Sequence, residues 1–281
     1  MSGTLYVTGT PIGNLEDITM RALRILGEAD FIAAEDTRVT RGLLTHFEIH
    51  KPVNALVSCN EHSPAGVFEY ITDRIQAGEN CAIVTDAGMP CISDPGEKLV
   101  RLCRERGIPV EAVPGPSAVV TALSVSGGST AQFAFYAFLP ADKKQKKQRE
   151  ALLTEISRER KTSILYEAPH KLRTTLDDLH RVLGGERIIS FCRELTKLHE
   201  EVLRMSLAEA VAYYAEHEPR GEFVLVIDGA PEEKEVLTVE DAVSVAQAYI
   251  AQGMSGSAAA KLAAKETGIP KQEIYKALHE D

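Results

Sequence analysis

The chain has 281 residues, of which 44% are apolar, and 41 acidic against 31 basic residues give a formal net charge of −10. This balance argues against a protein that binds nucleic acid over its whole surface, although a local basic stripe remains compatible with it. The five cysteines include no CxxC pair and no neighbouring histidine cluster, which argues against a disulfide framework or a metal site and predicts a reducing, cytoplasmic location.

The amino terminus, MSGTLYVTGTP, lacks the basic region and the continuous apolar segment of a signal peptide. Residues 118–140 carry no charge, but glycines, a glutamine and several hydroxyl side chains interrupt their apolar character. We therefore expect a buried helix, a turn and a strand there, and no membrane span.

Strands alternate with helices in the first part of the chain. Predicted strands cover residues 5–8, 31–34, 53–57, 82–85 and 110–113, and predicted helices cover residues 18–29, 38–47, 64–77 and 96–106. This alternation is typical of parallel βαβ units, so we expect a first α/β domain over residues 1–116 with helices on both faces of its sheet.

The loop after the fourth predicted strand is the most informative stretch. Its sequence, CAIVTDAGMPCISDPG over residues 81–96, places glycines and prolines where the strand's carboxyl end opens, together with Asp86 and Asp94. Open α/β sheets bind ligands at that end of their strands, so the pattern predicts a ligand loop. The alternative is a tight strand-to-helix connection in which Asp94 is the helix N-cap.

The first strand ends in TGTPIGN, residues 8–14, which lacks both the GxGxxG pattern and the lysine of a Walker motif. Dinucleotide binding and phosphoryl transfer are therefore disfavoured. An organic ligand held by backbone groups and carboxylate charge remains, and S-adenosylmethionine is compatible with such a site.

A second α/β domain is predicted over residues 117–230. Its strands cover residues 133–138, 163–167, 187–191, 201–205 and 223–227, and its helices cover residues 144–156, 169–183 and 207–217. The last two strands bracket a single short helix, so part of this sheet is expected to be antiparallel. A polar linker over residues 231–235 then leads to a helical tail, residues 236–281, with helices at 239–252, 257–267 and 271–278. Gly268 follows the second of these helices and Pro270 precedes the third, a pattern that is typical of the turn in a helix-turn-helix motif.

Two basic groups interrupt the acidic background and predict contacts with an RNA phosphate backbone. One opens the second domain's first helix, and the other lies in the tail. Their members are Lys143, Lys144, Lys146, Lys147 and Arg149, and Lys261, Lys265, Lys271 and Lys276. The alternative for each group is a solvated helix face.

Seven sequence blocks in order, spread over essentially the whole chain, resemble the tetrapyrrole-methylase-like class (class III) of S-adenosylmethionine methyltransferases. They are LYVTGTPIGNLEDIT, AAEDTR, VTDAGMPCISDPG, VPGPSA, YEAPHKL, CRELTKLHEE and GEFVLVIDG. The first block lacks the GxGPG loop of the porphyrinoid enzymes and is similar to the branch that methylates the 2′-hydroxyl of a cytidine in the decoding region of 16S rRNA. The resemblance implies two α/β domains with a cleft between them, a small C-terminal helical domain, a homodimer, and 16S rRNA as partner. The substrate could be naked RNA or the assembled 30S subunit, and the acidity of the chain favours the assembled subunit because contacts could come from both protomers.

The resemblance also implies that S-adenosylmethionine lies in the cleft between the two α/β domains. The implied contacts are Pro11, Asp86, Ala87, Gly88, Met89, Asp94, Ser117, Ala118, Phe138 and Leu139. Met89, Phe138 and Leu139 could instead belong to the core, and Pro11 could only shape a turn.

Methyl transfer to a ribose hydroxyl mainly requires the reacting atoms to be held in line, and a general base is helpful. The candidate carboxylates follow predicted strands and are Glu35, Asp36, Glu167 and Glu194. The neighbouring side chains that could clamp phosphate or ribose are Arg38, His170, Lys171, Arg193 and Lys197. For each carboxylate the alternative is a helix N-cap or a salt bridge.

Two other functions remain open. A tetrapyrrole C-methyltransferase would share the cofactor and fold without needing a basic tail. A non-enzymatic nucleic-acid regulator would use the tail alone.

Overall fold

The computed structural model describes residues 2–231 and 238–279. The chain divides into two compact units, residues 1–230 and 231–281. Of the predicted linker, residues 231–235, only Pro231 is among the described residues. The side chain of Lys143 is not among the described side chains.

The first sheet is entirely parallel and has the strand order β3-β2-β4-β1-β5. Its elements are β1 (Leu5–Thr8), α1 (Met20–Glu28), β2 (Phe31–Ala34), α2 (Thr37–His46), β3 (Leu56–Ser58), α3 (Ala65–Gln76), β4 (Cys81–Val84), α4 (Glu97–Glu105) and β5 (Val110–Val113).

Helices cover both faces of this sheet. Ile25 of α1 and Leu44 of α2 belong to the core on one face, whereas Ile75 of α3 and Leu99 of α4 belong to the core on the other. The chain therefore leaves the adjacent strands β1 and β4 toward opposite faces. This opens a crevice at their carboxyl ends, the topological switch point at which open α/β sheets bind ligands.

The second sheet has the order β6-β7-β10-β8-β9. Its elements are α5 (Ala118–Val125), β6 (Phe133–Phe138), α6 (Lys146–Arg158), β7 (Thr162–Glu167), α7 (Pro169–Leu183), β8 (Ile188–Arg193), β9 (Glu201–Ser206), α8 (Leu207–Glu216) and β10 (Phe223–Ile227). Only the β6–β7 pair is parallel, so the predicted antiparallel portion is confirmed. Helices α6, α7 and α8 pack on one face, and α5 packs on the other.

The tail contains α9 (Val239–Ala251), α10 (Gly256–Thr267) and α11 (Lys271–Ala277) around a core of alanines and Ile274. Gly268, at a φ of +74°, ends α10 as its sequence predicts. The predicted fold class, α/β sheets followed by a helical region, is confirmed. None of the described helices is long and apolar enough to cross a bilayer.

One strand prediction is partly wrong. Residues 53–57 were expected to form a strand, but Val53–Ala55 is a 3-10 helix and pairing with β2 starts only at Leu56. Pro52 precedes this turn with φ at −63°, and the Val53 side chain is 74% exposed, so β propensity alone is not enough to extend the sheet.

Candidate functional site

The loops after β1 and β4 are hydrogen-bonded to each other at the switch point. Thr10 donates its backbone N–H to the carbonyl of Gly88 at 2.9 Å, and Gly88 donates back to the carbonyl of Thr10 at 3.2 Å. The Thr10 hydroxyl also donates to the carbonyl of Thr85 at 3.1 Å. Gly88 has φ +89°, a conformation that glycine adopts readily, so the residue type suits this pairing.

The backbone after β1 touches the backbone after β5. A Cβ placed on Gly9 would lie 2.7 Å from both the Cα of Gly115 and the sulfur of Met89. Pro11 is buried beside this contact, whereas Asp86 and Ala87 are exposed. Pro11, Gly88 and Met89 thus shape the loop, and Ala87 presents its surface to the cleft.

A cavity of about 500 Å³ lies between the two sheets. Residues 1–116 contribute Ile12, Ala87, Ser93 and Asp94 to its lining. Residues 117–230 contribute Ala118, Phe138, Tyr166, Glu167, Ala168, Pro169, His170, Cys192, Leu195, Lys197, Glu222, Phe223 and Val224. Of the predicted site residues, the structure brings Ala87, Asp94, Ala118, Phe138, Glu167, His170 and Lys197 together here.

Three carboxylates follow β2 and β4 on the first sheet. Glu35 accepts hydrogen bonds from the Thr85 hydroxyl and from the backbone N–H of Asp86, the latter at 3.2 Å. The Asp86 side chain accepts from the backbone N–H of Asp36 at 3.1 Å. Partial loss of solvent around the carboxyl group, and then the charge of Glu35, raise the pKa of Asp86.

Asp36 and Arg38 are engaged with each other. Asp36 is the N-cap of α2 and accepts from the backbone N–H of Arg38 at 2.8 Å, while the two side chains form an ion pair. The hydrogen bond from the Arg38 side chain lowers the pKa of Asp36 to about 2. The N-cap alternative is therefore confirmed for Asp36, and neither residue lines the cavity.

Asp94 has a different environment. Burial, and then the nearby charges of Glu35 and Asp86, raise the pKa of Asp94 to about 6. The N-cap alternative is wrong for this residue, because the N-cap position of α4 is Gly96, with φ +125°. Asp94 is thus a partly buried carboxyl group on the cavity lining.

Aromatic side chains form part of the opposite wall. The rings of Phe138 and Tyr166 are 5.5 Å apart, and Tyr166 also meets Phe135 edge to face at 5.0 Å. Burial, followed by the charge of Asp94, raises the pKa of Tyr166 to about 12. Phe138 is 53% exposed, whereas Leu139 is 5% exposed and packs in the core, as its alternative interpretation expected.

Glu167 is the buried carboxylate of the cavity, with 5% exposure at the end of β7. One carboxylate oxygen accepts from the backbone N–H of Ala168 at 2.8 Å, and the other accepts a short hydrogen bond from the Thr175 hydroxyl. Each oxygen keeps further lone-pair capacity for a ligand.

Glu194 and Lys197 form a charged cluster with Glu222. The Lys197 ammonium donates to Glu194 at 2.9 Å and to Glu222 at 2.6 Å. The hydrogen bond from Lys197 lowers the pKa of Glu194. Burial disfavours the Lys197 cation, but the bonds to Glu222 and Glu194 prevail and raise the pKa of Lys197. The salt-bridge alternative is thus confirmed for Glu194.

Backbone strain is concentrated in the segments that flank this cleft. Five of six non-glycine residues with positive φ in the described chain lie in the loops after β4 and β8 or at the end of β6, and they are Cys91, Ser93, Ala137, Glu194 and Thr196. Such conformations cost free energy and persist where the surroundings enforce them, commonly at functional sites. The strain is therefore independent support for a ligand site in the cleft.

The predicted RNA-binding cations differ in the exposure of their side chains. Lys144, Lys146, Lys147 and the tail lysines Lys261, Lys265, Lys271 and Lys276 are exposed. Lys171 is partly buried in the first turn of α7. By contrast, Arg193 pairs with Glu201 at 3.1 Å, and the Arg149 side chain, 15% exposed, pairs with Asp178 at 2.9 Å.

Several cavity residues were missed from the sequence. Ile12, Ser93, Tyr166 and Glu222 sit inside the blocks singled out above, but which member of a block faces the other sheet depends on how the two sheets meet. Ser117 is the N-cap position of α5 without a side-chain cap bond. All five cysteines are free thiols, and no group of three or more potential metal ligands occurs among residues 2–231 and 238–279.

Comparisons with known proteins identify the family and the fold. The family model for tetrapyrrole (corrin/porphyrin) methylases matches residues 4–211. The chain is 46% identical over 283 residues to "Ribosomal RNA small subunit methyltransferase I" of Halalkalibacterium halodurans, covering 99% of this chain and 96% of that protein. It is 44% identical over 274 residues to the protein of the same name from Synechocystis, covering 97% and 96%.

Among solved structures, the chain is similar to uroporphyrin-III C-methyltransferase of Thermus thermophilus, complexed with S-adenyl homocysteine. The TM-score is 0.56 at 19% identity, over 80% of this chain and 97% of that one. At this identity the similarity establishes a shared fold.

Proposed function

This chain belongs to the tetrapyrrole methylase family, and within it to the ribosomal RNA small subunit methyltransferase I proteins, and on that premise we propose its reaction. The reaction is transfer of a methyl group from S-adenosylmethionine to the 2′-hydroxyl of a cytidine in the decoding region of 16S rRNA. The observation that best supports this reaction is the cleft at the switch point. There, backbone groups and the partly buried carboxyl group of Asp94 face a wall that contains Phe138 and Tyr166.

The cleft fits the proposed cofactor. A volume of about 500 Å³ lies within the range of small-molecule sites. Ala87 and Ala118 leave space, the Phe138 ring offers an apolar surface, and Asp94 offers negative charge to a cation. When bound, S-adenosylmethionine supplies an electrophilic methyl group on a positively charged sulfur.

The residues of the chain then orient the substrate. Positioning of the reacting atoms can lower a barrier by about 7–11 kcal/mol, so a rigid cleft is the main requirement. Glu167 is the best candidate to accept the hydrogen of the attacking hydroxyl, because it lines the cavity and retains lone-pair capacity. Lys197 is held as a cation between two carboxylates and is suited to orient a ligand rather than to remove a proton.

The exposed lysines Lys144, Lys146 and Lys147 would contact RNA phosphates, since they lie just before and at the start of α6, a few residues beyond the cleft wall at Phe138. The net charge of −10 favours an assembled 30S subunit as substrate, where contacts spread over a homodimer would compensate for weak attraction. We expect the methyl transfer to take place in the cytoplasm.

The test is transfer of labelled methyl from S-adenosylmethionine to 30S subunits that lack the modification, followed by nuclease mapping. A 2′-O-methylated cytidine near the decoding site is the expected product. No transfer by a protein that binds the cofactor would overturn the RNA substrate and favour a porphyrinoid instead.

A further inference from the structure

A hydrogen-bond chain connects the basic segment to the floor of the cleft. It starts at Arg149 on α6, whose Nη2 donates to the hydroxyl of Thr175 on α7 at 3.0 Å. The same hydroxyl donates to Oε2 of Glu167. Thr175 is 1% exposed and Glu167 is 5% exposed, so water has little access to this path.

The direction of each bond in this chain is fixed. A guanidinium group has donors only, so the Thr175 oxygen must accept from Arg149. The single hydroxyl hydrogen is then left for Glu167. Arg149 therefore commits Thr175 to act as a donor and holds the Glu167 carboxylate in one orientation.

Arg149 also fixes the segment that leads from the cleft wall. Its Nη1 donates to the carbonyl of Pro140 at 3.2 Å, two residues after Phe138, and its Nε donates to Asp178 at 2.9 Å. All three nitrogens of the guanidinium thus have partners inside the protein. The neighbouring Lys146 and Lys147 are exposed to solvent.

We propose that Arg149 is a positioning residue for methyl transfer, which orients Glu167 through Thr175 and does not bind RNA. The proposal rests on the proposed function. It predicts that Arg149 affects turnover, whereas a phosphate-binding residue affects RNA affinity and its salt dependence.

The experiment compares Arg149→Met, Thr175→Val, Thr175→Ser and the double variant Arg149→Met with Thr175→Val. Loss of orientation is expected to lower kcat roughly 10- to 100-fold in the first two, with KM for RNA and the salt slope of RNA binding unchanged. Thr175→Ser keeps the hydroxyl and should retain most of kcat. Because both residues act on one carboxylate, the double variant should be no slower than the slower single variant.

Two control variants separate the roles. Lys147→Met, two residues before Arg149, should weaken RNA binding and reduce the salt slope by about 0.7–0.9. Arg24→Met, at an exposed pair with Glu28 in α1, should behave as wild type. The proposal is overturned if Arg149→Met behaves like Lys147→Met, or if Thr175→Val keeps the wild-type kcat.

The same variants separate this proposal from the proposed function. Thermal unfolding and calorimetric binding of S-adenosylhomocysteine show whether each variant is folded. If the wild type methylates no RNA, the proposed function fails, and crystal structures of Thr175→Val and Thr175→Ser then decide. The carboxylate of Glu167 should rotate away in the first and stay in the second, and an unmoved carboxylate in both would reject the positioning role.

Discussion

The backbone N–H of Asn14 donates a hydrogen bond of 3.0 Å to Oγ1 of Thr196, joining the loop after β1 to the loop after β8. The adjacent Gly13 has no space for a side chain, since a Cβ there would lie 2.6 Å from Cγ of Lys197. Thr196 itself has φ +65°. The two sheets are therefore joined at the cleft by a hydrogen bond to the Thr196 side chain and by the close packing of Gly13 against the Lys197 side chain.

Replacing Thr196 with Val tests this junction. The variant keeps the shape of the side chain but removes the acceptor for Asn14, so we expect the loop after β1 to lose its fixed position. Because the bond is exposed and water can replace it, the free energy of unfolding should fall by less than about 1 kcal/mol. Calorimetry should show several-fold weaker cofactor binding, with Thr196→Ser close to wild type. Equal affinity in Thr196→Val would show that the junction does not shape the cleft.

Replacement by alanine should have opposite effects on stability at Gly9 and at Gly27. An alanine at Gly9 meets the backbone of Gly115, which cannot move as a side chain can, so we expect a loss of about 1–3 kcal/mol of stability and weaker cofactor binding. Gly27 lies inside α1 with open space around it, so Gly27→Ala should stabilise the protein by about 0.5–1 kcal/mol. Thermal unfolding of both variants measures the difference. Similar effects at the two sites would contradict the close contact.

The sequence predicts the position of the site better than the identity of its residues. Glycines and prolines mark the loops after β1 and β4, because turn chemistry is local and leaves a direct signature. The orientation of a side chain within a block is not local. Lys147 and Arg149 look equivalent in the sequence, but Arg149 points inward because Asp178, Thr175 and the carbonyl of Pro140 accept its hydrogen bonds. Tyr166 was missed for the same reason, since the wall to which it belongs exists only where the two sheets face each other.

Asp94 should give the protein a characteristic pH dependence. Its pKa is raised from 3.8 to about 6, so the folded state binds more protons than the unfolded state between these values. The free energy of unfolding should therefore fall as the pH rises through this interval and then level off above about 6. Asp94→Asn removes the charge and, allowing for partial solvent screening, should be about 1–2 kcal/mol more stable than wild type at pH 7. Chemical denaturation at several pH values measures both effects.

The charge of Asp94 should also affect the affinity for the positively charged cofactor. In the wild type, binding of S-adenosylmethionine should weaken as the pH falls through about 6, because protonation removes the negative charge. S-adenosylhomocysteine lacks the sulfonium and should show a smaller change. Glu105→Gln, an exposed substitution at the end of α4, serves as control. An identical pH profile for both ligands would indicate that Asp94 does not face the sulfonium.

The tail should contribute to RNA binding and not to cofactor binding. Residues 231–281 form a compact unit with its own alanine-rich core, and the cleft is built entirely within residues 1–230. Deleting residues 236–281 should therefore leave the affinity for S-adenosylhomocysteine unchanged. If Lys261, Lys265, Lys271 and Lys276 each contact a phosphate, RNA binding should weaken and its salt slope should fall by about 3. Replacing these four lysines with glutamine in the full chain should reproduce the loss, which separates their charge from the bulk of the tail. Unchanged RNA affinity after the deletion would exclude the tail from substrate binding and leave the lysines of α6 as the main electrostatic contact.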